Sequence, residues 1–179
     1  DPARTMAEIL TVATHEFADK GLTGARIDEI AAATRTSKRM IYYYFGSKDG
    51  LYLAVLEEAY RRMRAIESDL HLGDLPPMEA LQKLVEFTYD HHRDNEDFIR
   101  LVMNENILRG AHIGEIPGIR ERNRKVVEQL RNILARGVAS GMEASCSGVC
   151  QSWARRITFI LSLPSKYSET NKPLVKART

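Results

Sequence analysis

The apolar residues of the first 45 positions recur at helical spacing, but they are cut into three pieces too short to be stable except against one another. Met6, Ile9, Leu10, Ala13 and Phe17 fall at i, i+3, i+4, i+7 and i+11. This is one stripe of an amphipathic helix closed at Lys20-Gly21, with Gly21 suited to the C′ position. A second, short helix turns Ile27, Ile30 and Ala31 inward and carries Asp28 and Glu29 in its first turn, where carboxylates favour the positive end of the helix dipole. Ala25 and Arg26 stand where a capping Ser or Thr would be expected, so its N-cap is weak. Thr34-Arg35-Thr36 leads into a third helix over about residues 37–44, capped by Thr36 or Ser37 and buried through Ile41 and Phe45. Two short helices joined by a tight turn make a helix-turn-helix, whose second helix fits the major groove of DNA.

The chemistry of that third helix points the same way. Between Ile30 and Lys48 stand Arg35, Lys38, Arg39 and Lys48 and no acid, whereas a solvated face more often carries both signs. Lys38, Arg39 and Tyr42 share about a third of the helix circumference. Lysine and arginine donate to guanine edges or phosphate, and Tyr42, Tyr43 and Tyr44 add hydroxyls for phosphate and rings for a thymine methyl. Three consecutive tyrosines do not all face one core. Gly46-Ser47 then breaks the run and Ser47 caps a fourth helix with the stripe Leu51, Ala54, Val55 and Ala59. Lys48, a cation at the positive end of that helix, is misplaced unless an anion such as a backbone phosphate joins it.

The fourth helix is expected to continue through Arg61, Arg62 and Arg64 towards Gly73-Asp74-Leu75-Pro76-Pro77, which has the composition of a linker. Three further helices follow: residues 78–94 (Leu81, Leu84, Val85, Thr88), 96–109 (Ile99, Val102, Met103, Ile107) and 119–140 (Val126, Leu130, Ile133, Leu134, Val138), with a loop over 110–118. Past Gly141 the sequence turns serine-rich and basic, with one apolar segment from Trp153 to Leu163, and residues 165–179 have so little to bury that they are expected to be mobile. Asp1 rather than Met opens the sequence, which leaves room for a short basic arm ahead of it.

Composition limits the alternatives. At 179 residues and 44% hydrophobic, with only 7% aromatic and no sustained apolar/polar alternation, the chain is expected to be all-α with a substantial core. A net charge of +2 is too mild to establish a nucleic-acid partner, so the local stripe carries that argument. No run of about 18 apolar residues exists to cross a bilayer, and no secretory signal core opens the chain, so a cytoplasmic protein without a membrane partner is expected. Cys146 and Cys150, the only cysteines, read as free thiols in a reducing compartment, a redox or metal pair being the alternative. His91-His92 beside Asp90 and Asp94 do not close a ligand set, since adjacent histidines point about 100° apart on a helix. No nucleophile set, phosphate loop or paired carboxylates stand in a recognisable frame, so neither an enzyme nor a metal or cofactor is expected.

At this point the motifs become specific. Gly21-Leu22-Thr23 to Ile30-Ala31, then Ser37-Lys38-Arg39-Met40-Ile41-Tyr42-Tyr43-Tyr44-Phe45-Gly46-Ser47-Lys48-Asp49-Gly50-Leu51, resemble the N-terminal domain of the TetR family of bacterial regulators, over residues 6–55. The resemblance implies a three-helix helix-turn-helix domain at residues 1–50. A helical bundle would follow at 51–179 that binds a small-molecule effector and dimerises. It further implies a repressor that leaves a palindromic operator when the effector binds. Carried over by position, Lys38, Arg39, Tyr42, Tyr44 and Lys48 match DNA-contacting places and Arg26 a backbone-contacting one, with Ser37, Tyr43 and Arg35 beside them. Arg35 replaces the usual turn glycine, so its side chain has to accept a tight turn and is itself placed to reach phosphate. Two long C-terminal helices that pair with a second subunit are also implied, and residues 142–179 do not show their pattern.

The effector region has no comparable signature. Tyr60, Met63, Phe87, Phe98, Met103 and Ile107 are its large apolar candidates, with His91, Asn104 and Asn106 as polar anchors. Two readings of other classes compete with a ligand-released repressor. One is a helical protein-interaction module whose basic stripe meets an acidic partner, the other a constitutive DNA binder without ligand.

Overall fold

A computed structural model describes residues 1–141. Among these residues there is no strand, and the chain is all-α: α1 (Pro2–Gly24), α2 (Ile27–Ala33), α3 (Lys38–Phe45), α4 (Lys48–Ser68), α5 (Pro77–Asp94), α6 (Glu96–Ile107) and α7 (Ile119–Ala139). Cys146, Cys150, the apolar segment Trp153–Leu163, the tail expected to be mobile and any C-terminal dimerisation helices lie outside the described residues. The described residues divide into two compact units, Asp1–Met63 with His92–Ile116 and Arg64–His91 with residues 117–141, so α4 contributes to both.

In the first unit, Ile9, Ala13 and Phe17 of α1 are fully buried as the stripe requires, while Met6 and Leu10 are half-buried at its edge. The α1 stripe does not end at a simple cap. Gly21 takes φ 66°, ψ 176°, a backbone region essentially restricted to glycine, and one more helical turn follows to Gly24. Ile27, Ile30 and Ala31 of α2 and Ile41 of α3 complete the small core beneath the helix-turn-helix. Phe45, expected to be buried with Ile41, is only half-buried, because it stands at the last position of α3.

Helix α6 corrects the expected pattern. Its buried face is Phe98, Leu101, Val102 and Glu105, whereas Ile99, Met103 and Ile107, expected inward, are half-buried or exposed. The true stripe includes Glu105, which is only 2% exposed. It accepts from the Tyr52 hydroxyl at 3.1 Å, from the Ile113 N–H at 3.1 Å and from the His112 backbone N–H at 3.2 Å. His112 Nδ1 also lies 3.0 Å from it. Burial, reinforced by the neighbouring Glu105 charge, pushes the Tyr52 phenol far above its ordinary range, so Tyr52 stays a neutral donor. The segment after α6, expected as an open loop, is accordingly packed, with Ile113 and Ile116 buried around a short 3-10 helix, Ile113–Glu115.

Several contacts tie α6 to α1. Asn104 Nδ2 donates to the Phe17 carbonyl at 3.3 Å, Arg100 pairs with Asp19 at 3.0 Å and His15 meets Asp97. The Phe17 and Tyr52 rings make an edge contact with centroids 5.0 Å apart.

In the second unit, Leu72, Ala80, Leu84, Leu130 and Ile133 form the core, with Leu70, Leu75, Leu81 and Leu134 packed against it. Helix α4 runs through Arg61, Arg62 and Arg64 and ends at Ser68, before Gly73 as expected, but the Gly/Pro stretch expected as a linker contributes to a packed 3-10 turn, Leu72–Asp74. Arg136 closes that turn by donating to the carbonyls of Leu72, Gly73 and Leu75 at 2.9–3.2 Å. Burial of the leucines on either side of Gly73 outweighs its turn propensity.

Gly21 carries a direct test. A Cβ there meets nothing nearer than Asn104 at 4.0 Å, so only the backbone conformation is at stake. Gly21→Ala is expected to cost about 1–3 kcal/mol of stability, read as a lower urea midpoint at unchanged slope. An unchanged midpoint would contradict the assignment.

Candidate nucleic-acid interface

The exposed face of α3 is held from both ends. Ahead of it, α2 closes in a Schellman turn: the Thr36 N–H bonds the Ala31 carbonyl at 3.0 Å and the Arg35 N–H bonds the Ala32 carbonyl at 3.2 Å. Arg35 occupies the left-handed position of this motif at φ 50°, which is where glycine is at home, and its side chain is exposed. Ser37 then caps α3, its hydroxyl accepting from the Met40 N–H at 3.2 Å. Behind α3, the Ser47 hydroxyl accepts from the Gly50 N–H at 2.9 Å. Gly50 is demanded by space, because a Cβ there would lie 2.1 Å from the Phe45 carbonyl oxygen.

With Ile41 pinned in the core, the outer side of α3 is cationic and aromatic. Arg39 is exposed and has no ion pair among the described residues, Tyr42 is 42% exposed and Tyr43 78%. Tyr44 is half-buried, its ring edge-on to those of Tyr43 and Phe45. Lys38 differs from expectation in having a partner. It pairs with Asp28 of α2, an acid just outside the acid-free run, and so braces the two helices while part of its charge is neutralised.

Lys48 is also engaged. Its Nζ donates to the Thr23 carbonyl at 3.2 Å, which supplies some of the negative character that its place at the start of α4 calls for, and an ammonium keeps two further donors. Arg26 is the N-cap residue of α2 without a side-chain cap. Glu16 substitutes from α1, accepting the Arg26 N–H at 3.0 Å. The same Glu16, with Glu29, grips Lys20, and the hydrogen bond from Lys20 holds the Glu29 carboxyl below its ordinary range. The Arg26 guanidinium itself is exposed, 4.0 Å from Glu29.

The effector candidates are distributed unevenly. In the first unit Tyr60, Met63 and Phe98 are buried, with the Tyr60 and Phe98 rings 5.5 Å apart. Asn106 is half-buried, while Met103 and Ile107 stand 55% and 77% exposed on the opposite face of α6. Phe87 and His91 belong to the second unit, half-buried and ring to ring at 5.6 Å. Asn104 anchors α1. Sequence reasoning missed Asp28, Glu16, Tyr52, Glu105 and His112 as organising residues. Only Glu105 left a signal, standing seven positions after Phe98 on an otherwise apolar face.

Residues 9–55, which contain this whole arrangement, match the family model for bacterial regulatory proteins of the tetR family, and residues 77–143 match that for a tetracyclin repressor-like C-terminal domain. The chain belongs to the TetR family. Over 139 residues it is 36% identical to the HTH-type transcriptional repressor NicS of Pseudomonas putida, covering 78% of this chain and 66% of that one. Over 141 residues it is 33% identical to an HTH-type transcriptional repressor of Streptomyces coelicolor, covering 77% of this chain and 69% of the relative. The chain thus spans about two thirds of the length of these two relatives. The fold also superposes on that of the TetR family regulator PfmR of Thermus thermophilus, with a TM-score of 0.65, 23% identity and 92% and 88% of the two chains covered. Among the described residues, no helix is long and apolar enough to cross a membrane.

Arg35 offers a prediction particular to this TetR-family chain. Arg35→Gly is expected to raise stability by about 0.5–1 kcal/mol, since glycine takes the left-handed turn position freely, and to weaken DNA binding by removing an exposed cation beside α3. A lower denaturation midpoint would contradict the turn assignment. Unchanged DNA affinity would show that Arg35 meets no phosphate.

Proposed function

We propose that this chain is a sequence-specific DNA-binding transcriptional repressor, acting in the cytoplasm as a homodimer on a palindromic operator and released by a small-molecule effector. The observation that carries the reading is the rigidly capped α3, whose acid-free outer face presents Arg39, Tyr42 and Tyr43 with Arg35 beside it. A helix of this size enters the major groove, and a dimer is required because two half-sites need two such helices. In this reading residues 1–50 read DNA and residues 51–179 hold the effector and the second subunit. The repressor names of the two relatives support the sign of regulation.

The roles along α3 differ. Arg39, exposed at the start of the helix, is placed for bidentate contact with guanine. Lys48 and Tyr42 act through phosphate, Lys48 with the donors that Thr23 leaves over. Lys38, paired to Asp28, positions α3 more than it reads DNA.

Selection from a random DNA pool supplies the operator, and fluorescence anisotropy over a salt series on operator and random duplexes tests the assignment. Lys48→Ala is expected to weaken both by similar factors and to lower the salt slope by roughly one unit. Arg39→Ala is expected to cost about 1–3 kcal/mol on operator and much less on random sequence. Equal losses for Arg39→Ala on both would show that it reads no base. Loss of binding by neither variant would take α3 off the DNA.

A further inference from the structure

The lysines that open α3 and α4 stand in the same electrostatic position and are answered differently. Each is a cation at the positive end of a helix dipole. Lys48 donates to a neutral group, the Thr23 carbonyl, and keeps its whole formal charge. Lys38 pairs instead with a carboxylate, Asp28 in the first turn of α2, which cancels its charge. Lys38 is the only bonded partner of Asp28 among the described residues. Arg35 and Arg39, in the turn before α3 and next to Lys38, are exposed and have no ion pair among those residues. One cation of the DNA face is thus neutralised where its neighbours are not.

What the pair withholds is affinity that carries no sequence information. A lysine on phosphate strengthens binding to every duplex alike and steepens its salt dependence by about 0.9 units. With its charge cancelled, Lys38 adds little to that pull. Asp28 itself stands on the helix that crosses the DNA backbone in a helix-turn-helix, where a carboxylate repels phosphate. Both effects weaken every complex, but the operator complex recovers part of the loss. Base contacts demand one orientation of α3, and the pair braces α3 against α2 before DNA arrives, so less ordering remains to be done on binding. A duplex held through phosphate alone draws nothing from that brace. Discrimination is a difference of two affinities, so an element that penalises the wrong complex more raises it.

We propose that Asp28 is a specificity-determining residue of the DNA interface, which by holding Lys38 lowers affinity for random sequence more than for operator. The assignment rests on the sequence-specific repressor reading and adds to it a residue that sharpens recognition by opposing binding. Asp28 acts through Lys38 and reads no base. The consequence has a definite sign: removing this acid strengthens DNA binding and worsens recognition.

The test uses the full chain, with fluorescence anisotropy over a salt series on the selected operator and on a random duplex. Asp28→Asn keeps the shape of an exposed side chain and removes its charge. It is expected to raise affinity for random DNA by about three- to tenfold near 0.1 M salt and to steepen the salt slope by roughly one unit. Operator affinity is expected to rise less, so that the operator-to-random ratio falls by about threefold or more. In a Lys38→Gln background the same substitution is expected to lose most of its gain. Asp28→Glu, which restores the carboxylate, is expected to keep the ratio of the unsubstituted chain. Weaker binding of random DNA by Asp28→Asn would show a brace and nothing more, and overturns the proposal. An equal gain with and without Lys38 reduces the effect to net charge and overturns it too, as does Asp28→Glu behaving like Asp28→Asn. Preference for operator kept at full size by Asp28→Asn defeats the Asp28 assignment alone, whereas an unsubstituted chain that prefers no duplex defeats the repressor reading.

Discussion

A buried carboxylate organises the first unit. Taking Glu105 out of water costs several kcal/mol unless its oxygens are repaid in hydrogen bonds. The repayment comes from α4, through Tyr52, and from the segment after α6, through the backbone of His112 and Ile113. Those partners are not interchangeable with solvent. Tyr52 is fully buried and packs its ring edge on Phe17 of α1, so a bond made on α6 determines a contact beneath the helix-turn-helix. Asn104, Arg100 and Asp97 of the same helix hold α1 directly. Helices α1–α3 therefore belong to a larger body that takes in α4 as far as Met63, α6 and the chain to Ile116.

What was legible in the sequence was what is locally determined. The α1 stripe, the Ser37 and Ser47 caps, the weak N-cap of α2 and the strained turn at Arg35 depend on residues within a few positions of one another, and each stands as its spacing implies. The exposed face of α3 was legible for the same reason, since Ile41 alone determines which side is buried. The misreadings share one cause, a partner distant in sequence. The expected face of α6 fell on Met103 and Ile107 and left out Glu105, because nothing near it in sequence announces Tyr52. Lys38 stands inside an acid-free run, and the acid it pairs with, Asp28, lies two residues outside that run. Gly73 read as a linker because the leucines that bury the turn find their core on α5 and α7.

Helix α4 contributes residues to both units. Its first residue, Lys48, reaches the end of α1, its middle supplies Tyr52 to Glu105, and its last turns supply Arg64 and Glu67 to the second unit.

The most direct measurement is native-state amide hydrogen exchange on the full chain, with and without Glu105→Ala. If α1, α2, α3 and α6 are one cooperative body, removing the carboxylate leaves the Tyr52 hydroxyl and two backbone N–H groups unpaired. Protection in all four helices should then fall together by roughly 2–4 kcal/mol. Loss of protection confined to α6 and the segment to Ile116, with α1–α3 unchanged, would show that the DNA-reading helices stand alone and would contradict the account.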